Sequence, residues 1–308
     1  MLHRIYKLSF DTPVRFGPES GGSDMNSVRM TAHADTLFSA LFLSMMQCEK
    51  QNGFLNAAQT GKLRFSDLLP YSGERLFVPR PVGIYGKPVK TEDPSVRKLL
   101  KRIEYIPVKA LLNYLQGEIN VDDFQVTFGH SFERTRAFKR DEDQTLPYTV
   151  AGFEFLPECG LYTVVSAEDD DAMSLFDEAI KLLSYCGIGG KISSGWGKFT
   201  YTVTEPENEF AAMLNACAAP VQMLISTALP DENEAKNVIN ENTRYILCRR
   251  GGFMNGVSAP VTKKRSVYVM IPGSTFDTRF NGQLMEVGNG APHPVWRYAM
   301  GMFLGVTV

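Results

Sequence analysis

Three features of the 308-residue sequence predict an α+β fold of two tandem ferredoxin-like (RRM-like) units, the second degenerate and the first carrying an insertion. Strand-period and helix-period segments succeed one another as β, α, β, β, α, β, first with an interruption and then in shortened form. Proline and glycine cluster where those segments should be joined or interrupted. The chain is also long enough for about two domains, and its 44% hydrophobic and 21% charged residues are those of an ordinary globular protein.

The first strand is read at residues 5–10, where Tyr6, Leu8 and Phe10 alternate with Ile5, Lys7 and Ser9. After a loop rich in glycine and serine, Leu37, Phe38, Leu41, Phe42, Met45 and Met46 mark a buried helix that Asp35 or Thr36 is expected to cap. Residues 54–125 contain Pro70, Pro79, Pro81, Pro88, Pro94 and Pro107 and read as an insertion. Strands resume around 126–136 and 148–165. The next helix carries Met173, Phe176, Ile180 and Leu183 behind Asp169, Asp170 and Asp171, acids that suit the positive end of a helix dipole. Phe199, Tyr201 and Val203 alternate with threonines in the strand that closes the first domain, residues 1–205. Residues 206–220 are expected to be a linker. The second domain, 221–308, reads as strand (223–225), helix (232–241) and strands (245–247, 267–271), with no place found for a last helix.

Between the second helix and its strand runs Gly187-Ile188-Gly189-Gly190-Lys191-Ile192-Ser193-Ser194-Gly195-Trp196-Gly197-Lys198-Phe199. Five glycines allow positive φ and close approach of another molecule. Lys191 and Lys198 suit phosphate, Ser193 and Ser194 can donate to its oxygens, and Trp196 can stack on a base, so the expected ligand is nucleic acid. Neither a P-loop nor a G-x-G-x-x-G fingerprint is present, and helix-loop-strand is the reverse of the order both need.

The net charge of −2 requires any polyanion site to be local. One candidate is the segment 244–265, with Arg244, Arg249, Arg250, Lys263, Lys264 and Arg265 and no acid; Phe253 among its glycines repeats the composition of the first loop. Arg134 and Arg136, two apart on a strand, should share a face bordering the RNA path. The histidines His3, His33, His130 and His293 show no metal-ligand spacing, and the five cysteines form neither a C-x-x-C nor an evident disulfide framework, so no metal or cofactor is expected, and a reducing cytoplasm is. No apolar run is long enough to span a membrane, and none is expected as a partner. His33 is the one candidate general base, and no catalytic residue is assigned.

The glycine loop resembles that of the RAMP superfamily of CRISPR proteins. Its pairing with Ala34-Asp35-Thr36-Leu37-Phe38-Ser39-Ala40-Leu41, Gly273-Ser274-Thr275-Phe276, Phe280-Asn281-Gly282-Gln283 and the stretch from His293-Pro294-Val295 to Tyr298 is similar to the fourth Csm subunit of type III-A effector complexes. The resemblance implies a non-catalytic subunit that holds the 5′ repeat-derived tag of crRNA. It also implies contacts with a backbone Csm subunit and the large signalling subunit close to target RNA, with the insertion acting as a thumb. The alternative within the superfamily is a metal-independent endoribonuclease that cuts CRISPR-repeat RNA, with His33 as its base.

Overall fold

Strand β1 (Leu2–Phe10) buries alternate residues toward two different cores, which makes it the spine of the molecule. The computed structural model describes residues 1–18, 26–83, 94–141, 144–254, 262–290 and 293–307. After β1 come α1 (Ala34–Met46), α2 (Gln51–Gln59), β2 (Leu63–Phe65), β3 (Leu69–Ser72), β4 (Arg75–Pro79), α3 (Pro94–Arg102), β5 (Tyr105–Pro107) and α4 (Leu111–Leu115). A long hairpin, β6 (Gly129–Asp141) and β7 (Gln144–Phe155), precedes β8 (Cys159–Ala167), α5 (Asp170–Cys186) and β9 (Phe199–Thr204). The remainder is α6 (Asn208–Asn215), β10 (Val221–Leu224), α7 (Glu232–Val238), β11 (Leu247–Arg250), β12 (Val267–Met270), β13 (Thr275–Phe276), β14 (Gly282–Glu286), β15 (Trp296–Met300) and β16 (Phe303–Val306).

The main sheet has seven strands in the order β5-β4-β3-β8-β1-β9, with β2 also paired to β8, and its named pairings are antiparallel. Tyr6, Leu8, Phe65, Leu161 and Val165 face α1, α2 and α5. On the reverse face Ile5, Leu69, Tyr162 and Val164 meet Phe210 and Met213 of α6 and Met223 and Leu304 of the second half. Every residue of β8 is buried, as expected of a strand covered on both sides. The Asp169 side chain caps α5 by accepting from Ala172 N at 2.8 Å, in keeping with the acidic run there.

Three sequence expectations change. Residues 63–79 are not insertion: β2 and β3 pair with β8, and Phe54, Phe65 and Phe77 are core. Pro70 is tolerated because the β3–β4 ladder covers only Tyr71 and Ser72, which leaves Pro70 paired on its β8 side alone. The element inserted outside the main sheet is the β6–β7 hairpin, whose strands of 13 and 12 residues pair with each other from Gly129↔Phe155 to Asp141↔Gln144. Residues 206–220 contain α6, whose Phe210, Met213 and Leu214 are buried, so this is a packed helix and no bare linker.

In the second half, β10 lies between β13 and β16, a bridge from Ala228 to Met270 continues that line toward β12, and β12 pairs with β11. Where a second helix was sought, the β14–β15 hairpin stands. Tyr298 of β15 enters the first core, stacked on Phe65 at 4.3 Å and accepting from Phe65 N at 3.0 Å.

Candidate nucleic-acid interface

The glycine loop is clamped to the segment that follows β1. Gly197 N donates to Pro13 O (2.8 Å), Gly190 N to Arg15 O (2.8 Å) and Lys198 N to Thr12 Oγ1 (2.9 Å), while Ile188 N closes the loop on Gly197 O (3.0 Å). These bonds explain most of the glycines. A Cβ on Gly197 would stand 2.0 Å from Ile188 O and one on Gly189 2.8 Å from Arg15 O, so the close approach they permit is within the chain rather than toward another molecule. Gly195, at φ +83 with nothing within 4 Å, is the glycine that opens outward. With the exposed Ile192, Ser193 and Ser194 it forms the loop tip, entered through Lys191 in the left-handed region at φ 66.

Trp196 does not project from this tip. It is 3% exposed, set edge-on to Phe132 at 5.7 Å and close over Gly152. Base stacking by its ring is therefore corrected to a packing role: it seats the β6–β7 hairpin on the loop. Arg134 and Arg136 share the hairpin face that meets it, with guanidinium carbons 5.9 and 5.4 Å from the ring centroid, as aromatic faces attract such cations. Arg136 also donates to Ser194 Oγ at 2.8 Å. The Lys191 ammonium lies 5.0 Å from the Tyr148 ring centroid, and Lys198 donates to the Tyr185 carbonyl. Arg134, Arg136, Lys191, Ser193, Ser194 and Gly195 thus come together, whereas Gly187, Gly189, Gly197 and Trp196 hold the tip in shape.

Below the tip opens a groove of about 510 Å3 that runs past Gly189, Gly190 and Ile192 to the start of α1. Arg15, Arg29 and Arg250 line it, and no carboxylate does among the described residues. Arg15 and Arg29 were missed in the sequence because they fall in irregular backbone, where periodicity carries no signal. Tyr185, 69% exposed at the end of α5, is the accessible aromatic side chain beside the loop and was passed over for Trp196.

His33 lines the groove but is 8% exposed. Its Nδ1 is 2.7 Å from Asp67 Oδ2 and 2.8 Å from Thr227 Oγ1, and Asp67 Oδ1 accepts from Ala34 N and Thr227 N at 2.8 and 2.6 Å. Asp67, not Asp35 or Thr36, therefore satisfies the start of α1. The network ties α1 to both halves of the protein. Among the described residues no group of three or more His, Cys, Asp or Glu is placed to hold a metal ion.

The basic segment of the second half divides. Arg249 is exposed, opposite Tyr268 on the neighbouring strand, and donates to Ser266 Oγ at 3.2 Å; the Lys263 ammonium stands 5.8 Å from the Phe253 centroid. Arg265 is paired with Glu286 at 2.9 Å. Arg250 turns inward, its Nε and Nη2 donating to Asp35 at 3.0 and 2.8 Å, and Arg297 binds the same carboxylate. Burial alone would raise the Asp35 carboxyl, but Arg250 and Arg297 outweigh it and hold that group below the usual carboxylate range. The acid that was to have capped α1 is thus the counter-ion of two arginines more than 200 residues away.

The known proteins that this chain resembles are CRISPR proteins. Residues 218–306 match the CRISPR Csm4 C-terminal domain. The CRISPR system Cms protein Csm4 of Mycobacterium tuberculosis (strain CDC 1551 / Oshkosh) is 29% identical over 99% of this chain and 98% of its own; that of Streptococcus thermophilus is 26% identical over the whole of both. Among solved structures, a chain of a Csm3-Csm4 subcomplex in the type III-A CRISPR-Cas interference complex superposes with a TM-score of 0.68 at 15% identity, covering all of both chains. A chain of a Csm1-Csm4 cassette in complex with pppApA reaches 0.61 at 18% identity, covering 99% of this chain and 98% of that one. The protein is a Csm4-like CRISPR RAMP protein.

Proposed function

We propose that this chain is the subunit of a type III-A Csm complex that holds the 5′ repeat-derived tag of crRNA, and that it does so without nuclease activity of its own. In this reading both halves are ferredoxin-like, the second with its last helix replaced by the β14–β15 hairpin. The single observation that carries the reading is the groove under the glycine-loop tip, which Arg15 and Arg29 line beside an Arg250 balanced by Asp35 and which no described carboxylate lines, in a chain whose net charge is −2. Such local positive charge against a negative total is what phosphate-backbone binding requires. The exposed Ser193 and Ser194 and the Arg134–Arg136 face extend it, and Tyr185 offers a ring for a base. The hairpin β6–β7 takes the part of the thumb.

Relatives named Csm4 occur in solved structures with Csm3 and with Csm1, so the partners proposed are a backbone Csm subunit and the large signalling subunit, in the cytoplasm and near target RNA. Two features weigh against the endoribonuclease alternative. The His33 ring is engaged by Asp67 and Thr227, and Arg29 Nη1 lies 3.4 Å from its Nε2, so its ring nitrogens are poorly placed to take a proton from a 2′-OH.

The test is co-expression with the backbone and large subunits, followed by RNA retention across a salt series. Alanine at both Arg134 and Arg136 should weaken retention and flatten the log–log salt slope by about 1.4, at ~0.7 per lost single-strand phosphate contact. An unchanged slope removes that face from the RNA path. Metal-independent cleavage of repeat RNA by the isolated chain, persisting in EDTA, would replace the proposal with the endoribonuclease.

A further inference from the structure

Where the groove passes the start of α1 it meets a second, smaller cavity of about 170 Å3, and Thr36, Ser39 and Arg250 line both. Its other walls are Lys264, Trp296 and Arg297. Three cations therefore face one carboxylate, Asp35, and both oxygens of that carboxylate are already engaged by Arg250 and Arg297. The Lys264 ammonium has no hydrogen bond or ion pair among the described residues, and Arg297 Nε is buried without a partner. Lys264 is half-buried and lies beside two arginines that already share the one carboxylate of the cavity. Burial, and after it the neighbouring Arg297, lowers the affinity of Lys264 for its proton.

We propose that this cavity is a receptor for one tetrahedral oxyanion, a phosphate group bound by the Lys264 ammonium beside Arg250 and Arg297, with the Thr36 and Ser39 hydroxyls turning to it from Asp35, to which both donate in this structure. The size selects the ligand class: it lies below the ~300–1,000 Å3 of pockets that take a whole small molecule, so a single phosphate is held and a nucleoside is not. Its source is a phosphodiester of the strand lying in the adjoining groove, which rests on the RNA reading above, or free inorganic phosphate, which does not. The site explains why an unpaired lysine is kept half-buried beside two arginines, an arrangement that destabilises the empty protein.

The experiment uses the full chain labelled with 5-fluorotryptophan, which has two indoles, Trp196 and Trp296. Trp296 is assigned by the loss of its 19F resonance in Trp296→Phe. Titration with inorganic phosphate at constant ionic strength should move the Trp296 resonance to saturation and leave Trp196 in place. Lys264→Met should abolish the movement, weaken RNA binding about tenfold if the source is a phosphodiester, and raise the melting temperature of the ligand-free protein. Single-stranded RNA that moves Trp296 and is competed by phosphate identifies the phosphodiester; RNA that binds without moving it leaves free phosphate as the ligand. If neither phosphate nor RNA moves Trp296, the cavity is not a receptor, although RNA retention would still uphold the groove. If phosphate moves Trp296 and no RNA is retained, the receptor stands and the groove reading fails.

Discussion

Asp35→Asn should be among the most damaging single substitutions in this protein, although the two side chains are nearly the same size. The carboxylate is 4% exposed and is the common partner of Arg250 and Arg297, so its removal strands two desolvated guanidiniums. Breaking a buried pair in this way costs about 3–5 kcal/mol, or roughly 5–8 °C in melting temperature for a chain this long. The asparagine oxygen can still accept one hydrogen bond, which puts Asp35→Asn at the lower end and Asp35→Ala at the upper. The assay is urea and thermal unfolding by circular dichroism, with Glu168→Gln as the control. Glu168 reaches Lys62 across 3.7 Å on the surface, and losing that pair should cost less than about 1 kcal/mol. Because the folded carboxyl is depressed, the stabilisation it provides is present above its unfolded value near ~3.9 and is lost as pH falls through the still lower folded value. The gap between wild type and Asp35→Asn should therefore stay constant from pH 7 to about 5 and narrow only below about 4. A loss no larger than that of Glu168→Gln, or a gap that closes near neutral pH, would refute the reasoning.

Two further outcomes follow from the site. Gly195→Ala should cost about 1–2 kcal/mol, the penalty of positive φ alone, whereas Gly197→Ala, with its Cβ 2.0 Å from Ile188 O, should cost more and release crRNA; equal melting temperatures for the two would dissociate loop closure from those contacts. His33→Ala should lower stability by about 1 kcal/mol, the worth of the ring's lost hydrogen bonds, since Asp67 and Thr227 keep their bonds to each other and to Ala34 N, and a melting temperature equal to wild type would show that the ring does not help to hold α1.

Local chemistry was legible where neighbours in the chain decide it. The helix that ends at Cys186 and the strand that starts at Phe199 follow from periodicity, and the loop between them from its glycines. The roles of side chains within that loop were not, because their partners come from elsewhere. Trp196 is buried by Phe132 and Gly152 of a hairpin that the sequence shows only as two extended segments. Asp35 looks like a capping residue until Arg250 and Arg297 arrive, 215 and 262 residues later in the chain. Strand β3 was hidden by Pro70, since proline normally argues against a strand and only its pairing with β8 overrules that. In each case the deciding contact is tertiary, and a window of neighbouring residues does not contain it.

The separation between Asp35 and Arg297 also bears on how the protein is made. At ~5–20 residues per second on the ribosome, the 262 residues between them take roughly 13–50 seconds to emerge. Over the first 215 of those residues the N-terminal half has a carboxylate destined for burial and neither of its cations, and from there until Arg297 emerges it has Arg250 alone. It also lacks Tyr298, whose ring completes the stack on Phe38 and Phe65. The nascent N-terminal half thus cannot close its core ahead of the rest. Its groove lacks a wall until Arg250 and Gly251 emerge, and β15 then adds the Arg297 that holds the Gly251 carbonyl, so a chain terminated before β11 would offer RNA no finished surface.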